Sequence, residues 1–329
     1  MRIFLTGGSG FIGTNLVAAL LARGDTLCDF SLTEPLQPAH RSLWQRGDIL
    51  DAPTLAAALS GFLPDAVIHL AARADCDEQT TVEAGYRPNT DGTANLLAAL
   101  QAAPTVRRAI LTSSQFVCGP GRLPQGDEDY FPATVYGHSK VRTEQLTRTA
   151  GLRCCWTLTR PVNIWGPWHQ RYTREFWRVA ARGHYVHPAG APVVRTYGYV
   201  GNVVAQMLRI LELPEGQVNG RTFYLGDPED DIYAWASGFC QALRGRPAPR
   251  VPRPLLYAAG RAGDAITALT GRPFYITSSR VRSMVTDYLT PIAASHAVLG
   301  RGPFALADGI RATVAWLRAH GGPEFAAAP

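Results

Sequence analysis

Residues 6–13 read Thr-Gly-Gly-Ser-Gly-Phe-Ile-Gly, directly after the apolar run Ile3-Phe4-Leu5. Arg2–Leu5 has the composition of a buried parallel strand. Thr14–Arg23 places Leu16, Ala19, Leu20 and Arg23 on one helical face, with Gly24 where a helix C-cap belongs. A chain that turns from strand to helix through Gly7, Gly10 and Gly13 has few folds open to it. The glycines allow a tight turn and let backbone approach a pyrophosphate, while the helix N-terminus offers free N–H groups and a positive dipole end to phosphates. A glycine loop alone is a weak signal, but the flanking strand and helix make a plain turn the poorer reading.

The same rhythm fills the first half. Thr26–Ser31, Ala66–Leu70, Arg108–Thr112 and Cys154–Thr159 read as strands. Leu55–Leu59, Gly92–Ala102 and Tyr136–Ala150 read as helical. Such alternation predicts an α/β fold, a Rossmann doubly wound parallel sheet, with a smaller C-terminal substrate-binding α/β domain. Right-handed crossovers place Gly7, Ala71, Ser114 and Pro161 along one sheet edge. We expect a dinucleotide-binding domain over 1–165 and a mainly substrate-binding domain over 166–329. A helix at about 199–213 and a strand at about 222–225 return to the first. Residues 163–200 are irregular. Ile232–Leu243 and Leu306–His320 read as amphipathic helices. Residues 245–256, with four prolines and three arginines, read as a loop or lid hinge, and the Ala-rich tail 326–329 as loose.

Tyr136 and Lys140 lie four apart, so they share a face of their helix. A nearby ammonium favours a phenolate, so Lys140 is expected to lower the Tyr136 pKa. Tyr136 then donates a proton to a carbonyl as hydride arrives, or removes one from a hydroxyl as hydride leaves. Ser114, in Thr112-Ser113-Ser114 at its strand end, hydrogen-bonds the same substrate oxygen. The bland alternative is a surface Tyr–Lys pair beside a serine-rich turn.

The bulk numbers bound the partners. The 329 residues suffice for one large domain or two modest ones, and the chain is 46% hydrophobic and 18% charged. No apolar run reaches about 18 residues, and no signal-peptide pattern opens the chain, so we expect a cytoplasmic protein without membrane contact. Six cysteines lack zinc spacing, so no metal is expected. The formal charge of +6 suits an anionic small molecule, and without a basic run it does not require nucleic acid.

The second strand bears on the cofactor. An acid about 20 residues past such glycines holds the ribose of NAD. Ser31 occupies that position, and Asp29 lies two residues earlier on the same strand face. Either Asp29 reaches the ribose, or a 2′-phosphate is tolerated, with Arg41 available to pair with it. Asp48 caps the adenine end or serves as an ordinary N-cap. The cofactor is NAD or NADP.

These motifs together resemble an extended short-chain dehydrogenase/reductase of the NAD-dependent epimerase/dehydratase family. Thr6–Gly13 matches its TGGxGFIG loop and His69-Leu70-Ala71-Ala72 its HLAA strand end. Asn89–Thr93 matches N-x-x-G-T, and Thr112–Gly119 resembles TSSxxVYG with Cys118 for tyrosine. Tyr136–Lys140 matches YxxSK, Arg160–Pro167 resembles RPxNVYGP, and Tyr199–Val203 resembles YVDDV. The resemblance covers residues 2–225 closely. It implies cofactor contacts from Gly7, Gly10, Phe11, Ile12, Gly13, Ser31, Asp48, Ile49, Leu70, Ala71, Ala72, Asn89, Tyr136, Lys140, Pro161 and Val162. It implies nucleotide-sugar chemistry, and a homodimer formed through two helices per subunit, roughly 89–103 and 136–150.

Departures narrow the reaction. Dehydratases of the family carry an Asp-Glu pair where this chain has Gln115 and Phe116, so 4,6-dehydration is not expected. Gln115, Asn163, Trp168 and Arg195 are substrate candidates, with His169 and Trp165 nearby. Arg195 sits where family members often hold a nucleotide phosphate. The expectation is hydride transfer at a sugar carbon of a nucleotide-activated sugar, as an epimerase or ketoreductase. The alternatives are a 3β-hydroxysteroid or other alcohol dehydrogenase, with 251–270 as an apolar lid, and an idle nucleotide-sensing scaffold.

Overall fold

The computed structural model describes residues 1–271, 274 and 276–326. The chain divides into two compact units. The first comprises Met1–Trp168, Tyr197–Pro228 and Thr290–Pro303, and the second His169–Thr196, Glu229–Leu289 and Phe304–Pro329. Residues 327–329 of the Ala-rich tail lie outside the described residues.

The first unit is built on a seven-stranded sheet. Its strands are β1 (Arg2–Thr6), β2 (Thr26–Ser31), β3 (Trp44–Arg46), β4 (Ala66–His69), β5 (Arg108–Thr112), β6 (Cys155–Pro161) and Arg221–Leu225. From one edge to the other the order is Arg221–Leu225, β6, β5, β4, β1, β2, β3, and every pairing is parallel. The order reverses beside β1, which places the strand ends flanking the glycine loop at the switch point of a doubly wound sheet. Strand residues such as Ile3, Phe4, Leu5, Val67, Ile68 and Ile110 are fully buried, as expected for strands covered on both faces.

Helices α1 (Phe11–Ala22), α2 (Ala52–Phe62), α3 (Val82–Gly85), α4 (Arg87–Gln101) and α5 (Val135–Thr149) connect them. Phe4, Phe30, Leu55, Leu59, Leu96, Leu111 and Leu158 share one core cluster, each worth about 1.5–3 kcal/mol on full burial. Thr134 caps α5 by accepting from the Gly137 N–H at 3.0 Å. Beneath α5, Arg160 on β6 grips Glu144 through two hydrogen bonds of 2.7 and 2.8 Å, with both side chains buried.

Three expectations about elements need correction. α4 begins at Arg87, five residues before the expected start at Gly92, because Pro88 sits in the first turn where a missing N–H costs nothing. Residues 245–256 are not wholly a loop: Arg250–Val251 pairs with His187–Pro188, and a helix opens at Arg253 and runs to Thr270. Pro254 is again tolerated in a first turn. Within 163–200, β7 (Asn163–Trp165) forms a short strand that pairs in parallel with Tyr197–Tyr199. No helix among the described residues is long and apolar enough to cross a membrane.

Candidate active site

Gly7 adopts φ +79°, and a Cβ there would stand 2.5 Å from the Ala71 backbone nitrogen. Only glycine lets the ends of β1 and β4 approach this closely. A Cβ on Gly13 would strike Gly8 Cα at 2.6 Å, so α1 packs tightly against the loop. Gly10 is the N-cap of α1 and has no side chain to satisfy the first-turn N–H groups at Phe11 and Ile12. Leu70 donates its N–H to the Thr6 carbonyl at 2.9 Å, which aligns the Leu70-Ala71-Ala72 segment beside the loop. This cradle of close backbone and an open helix N-terminus fits the diphosphate of a dinucleotide.

Asp29 is buried beneath this loop. Its carboxylate accepts from Ser9 Oγ at 2.8 Å and from Ser31 Oγ at 2.5 Å. Burial pushes its carboxyl up, against the hydrogen bonds from Ser31, Ser9 and the Gly8 N–H. Asp29 and Ser31 thus brace the glycine loop from below. Arg41 pairs with Glu34 at 2.7 Å on the surface.

The residues expected at the adenine end differ in their roles. Asp48 is not the N-cap of α2: Asp51 takes that role by accepting from the Thr54 N–H at 3.2 Å, and Asp48 accepts instead from the Leu50 N–H at 2.9 Å. The Ile49 side chain belongs to the core and presses on Gly92, so only its backbone remains for a ligand. Asn89 also has another task. Its side chain exchanges hydrogen bonds with the backbone of Arg73 at 2.8 and 3.0 Å and donates to Ser139 Oγ at 2.9 Å. It ties the loop after β4 to α5.

Ser114, Tyr136 and Lys140 come together where β5 ends against the first turn of α5. Tyr136 is 8% exposed, with Phe116 edge-on at 5.8 Å and Tyr86 at 6.0 Å. Ser114 hydrogen-bonds Tyr136 and accepts from the Phe116 N–H at 3.2 Å. Lys140 Nζ donates to the Thr112 carbonyl at 2.9 Å. This corrects the electrostatic expectation: burial pushes the Tyr136 phenol up, and the Ser114 hydroxyl pulls it partly back. Burial pushes Lys140 down to about 8, against the attraction of Glu144. Lys140 is also the only lysine in the chain.

A residue that the motif match left without a role lies underneath. His69 receives or gives a hydrogen bond at Thr6 Oγ, 2.6 Å from Nδ1, and at Thr93 Oγ, 3.2 Å from Nε2. Burial, with the neighbouring Lys140 charge, lowers its pKa to about 3, so it stays neutral beneath the ammonium. Its polar partners on β1 and α4 were not visible in the spacing.

Among the substrate candidates of the first unit, Gln115 is 3% exposed, and its Oε1 lacks a hydrogen-bond partner among the described residues. The Ser113 hydroxyl beside it is in the same condition. Pro161 ends β6, Val162 donates its N–H to the Leu225 carbonyl at 3.0 Å, and Asn163 opens β7. Trp168 follows with φ +72°. Asn202, in the YVDDV-like segment, donates to Asp227 at 2.7 Å, and burial pushes that carboxyl up to about 6. Arg195 belongs to the second unit, and its Nε and Nη2 donate to backbone, to the Thr286 carbonyl at 3.1 and 2.9 Å and to the Ser283 carbonyl. It secures the end of the helix Ser278–Met284.

Comparison with known proteins agrees with this geometry. The profile of the NAD dependent epimerase/dehydratase family matches residues 3–226. A 3 beta-hydroxysteroid dehydrogenase/Delta 5-->4-isomerase of Mycobacterium tuberculosis is 32% identical over 246 residues, 69% of this chain and 65% of the relative's length. The N-acetyl-alpha-D-glucosaminyl-diphospho-ditrans,octacis-undecaprenol 4-epimerase of Escherichia coli O157:H7 is 26% identical over 97% of this chain and 96% of its own. The fold also matches the UDP-glucose 4-epimerase of Thermotoga maritima, with TM-score 0.71, 22% identity and coverage of 97% of this chain and 99% of that one. The strand–glycine loop–helix cradle, the Tyr136–Lys140 pair and the family profile lead to one conclusion: this chain belongs to the NAD dependent epimerase/dehydratase family, whose enzymes depend on a nicotinamide dinucleotide.

Proposed function

We propose that this protein interconverts a carbinol and a ketone on a diphosphate-linked sugar, a nucleotide-activated sugar by first choice, as an epimerase or ketoreductase. The observation that carries the reading is the convergence of Ser114, Tyr136 and Lys140 beside the glycine cradle. The loop residues Gly7, Gly10, Phe11, Ile12 and Gly13 would hold the diphosphate of the cofactor, and Leu70–Ala72, Pro161 and Val162 would border it. When bound, the dinucleotide supplies or accepts hydride.

The raised phenol pKa keeps Tyr136 protonated at neutral pH, ready to donate to a ketone oxygen. Ser114 hydrogen-bonds that oxygen and orients it. Lys140, charged below about pH 8, offsets negative charge that develops on the phenol as the proton leaves. In the opposite direction Tyr136 takes the proton from the hydroxyl. Gln115, with an unpartnered amide oxygen, accepts from a substrate hydroxyl, and it lacks the acidity to eliminate water.

A sterol or other apolar alcohol is the second reading, favoured by the mycobacterial relative. Incubating the protein with NAD or NADP and each substrate class separates them. New epimer or ketone from a UDP-sugar supports the first reading. Oxidation of a 3β-hydroxysteroid with UDP-sugars untouched replaces it. We further propose a cytoplasmic homodimer that packs α4 and α5 against their copies, and light scattering at the monomer mass would refute that assembly.

A further inference from the structure

Among the described residues, half of the large apolar side chains that stand exposed fall between residues 255 and 289. They concentrate on the helix Arg253–Thr270. One face of this helix is used: Leu256, Gly260 and Gly263 are buried, and a Cβ on Gly260 would lie 3.1 Å from Ser278. A second face is apolar yet open. Leu255, Ala258, Ala262, Ile266 and Leu269 recur at three- and four-residue steps, and all are exposed, Leu255 at 62% and Leu269 at 87%. Side chains at these steps align in one stripe. An apolar stripe of this length left in water marks a docking surface.

The charge of the segment that carries the stripe points to the occupant. Residues 244–289 carry eight arginines against two aspartates, a charge of +6 that equals that of the whole chain. Arg246, Arg250, Arg261, Arg280 and Arg282 are exposed. Of the two acids, Asp264 is turned toward the Ser278 N–H at 3.2 Å, on the packed side of the helix. An apolar stripe in a basic segment, on a helix whose other face packs against its own unit, has the chemistry of an interfacial anchor.

We propose that the helix Arg253–Thr270 seats this protein on an anionic phospholipid surface. Ile266, Leu255 and Leu269 enter the headgroup boundary, and the arginines face the anionic lipids. Such seating needs no membrane-crossing helix. The proposal rests on this surface alone and stands whether the substrate is a sugar or a sterol.

The test is co-sedimentation of the full chain with phosphatidylglycerol–phosphatidylcholine vesicles and with pure phosphatidylcholine vesicles at about 0.1 M salt. The wild type is expected to pellet with the anionic vesicles, to release at high salt, and to ignore the neutral ones. The Leu255→Ser/Leu269→Ser double variant and, separately, Arg261→Glu are expected to bind roughly tenfold more weakly at an unchanged thermal midpoint. Failure of the wild type to bind, equal binding by the variants, or equal binding to neutral vesicles overturns the proposal. A double variant that changes oligomeric mass in light scattering while vesicle binding is unaltered also overturns it, because a second copy then covers the stripe.

Discussion

Lys140 Nζ donates to the main-chain carbonyl of Thr112 at 2.9 Å, which anchors the α5 ammonium to the end of β5 one helical turn from Tyr136. The charge is buried and held by a neutral acceptor, so its protonation is weakly defended. Since Lys140 is the only lysine, selective isotope labelling gives a single lysine side-chain signal. We predict that this signal titrates near pH 8 in the cofactor-free protein. A midpoint at the ordinary value, about 10.4, would show that the site is wet.

His69 makes stability acid-sensitive. The unfolded chain protonates this histidine below about pH 6.5, whereas the folded chain resists until about 3. Between those values the unfolded state binds more protons, so stability falls as pH falls. The cost at pH 5 is about 2 kcal/mol. Urea unfolding of wild type and His69→Asn at pH 7 and pH 5 should show a shallower pH slope in the variant. Parallel slopes would contradict the neutral, buried imidazole.

The glycine loop predicts a backbone effect. Gly7→Ala places a methyl against Ala71 in a left-handed conformation, a strain of about 1–3 kcal/mol. The expected result is a lower thermal midpoint and at least roughly tenfold weaker NADH binding, read by fluorescence. Unchanged binding would show that the loop does not hold the diphosphate.

The Arg160–Glu144 pair is a structural test independent of chemistry. Glu144→Gln leaves a buried guanidinium without its counter-charge and should cost about 3–5 kcal/mol in urea unfolding. A loss below 1 kcal/mol would imply that water reaches the pair.

Much of this was readable in the residues. Alternating apolar periods gave the sheet, and the i, i+4 spacing placed Tyr136 and Lys140 on one face. What stayed hidden depends on contacts remote in sequence. The partner of Lys140 is a carbonyl, and carbonyls carry no sequence signature. The backbone oxygens that Ser283 and Thr286 bring to Arg195 were not legible beside it. Asn89 opens the N-x-x-G-T match, and its ties to the Arg73 loop and to Ser139 were not visible there. The helix Arg253–Thr270 was masked by prolines that read as a hinge, although Pro254 sits where a first turn accepts it.

In the proposed reaction Tyr136 carries the proton for hydride transfer. The direct measurement is the rate of product formation, epimer or oxidised or reduced sugar, from a turned-over substrate in wild type and Tyr136→Phe, beside NADH binding to both. The expected result is a rate loss of roughly a hundredfold to ten-thousandfold with binding nearly unchanged. Turnover at the wild-type rate in Tyr136→Phe would contradict it.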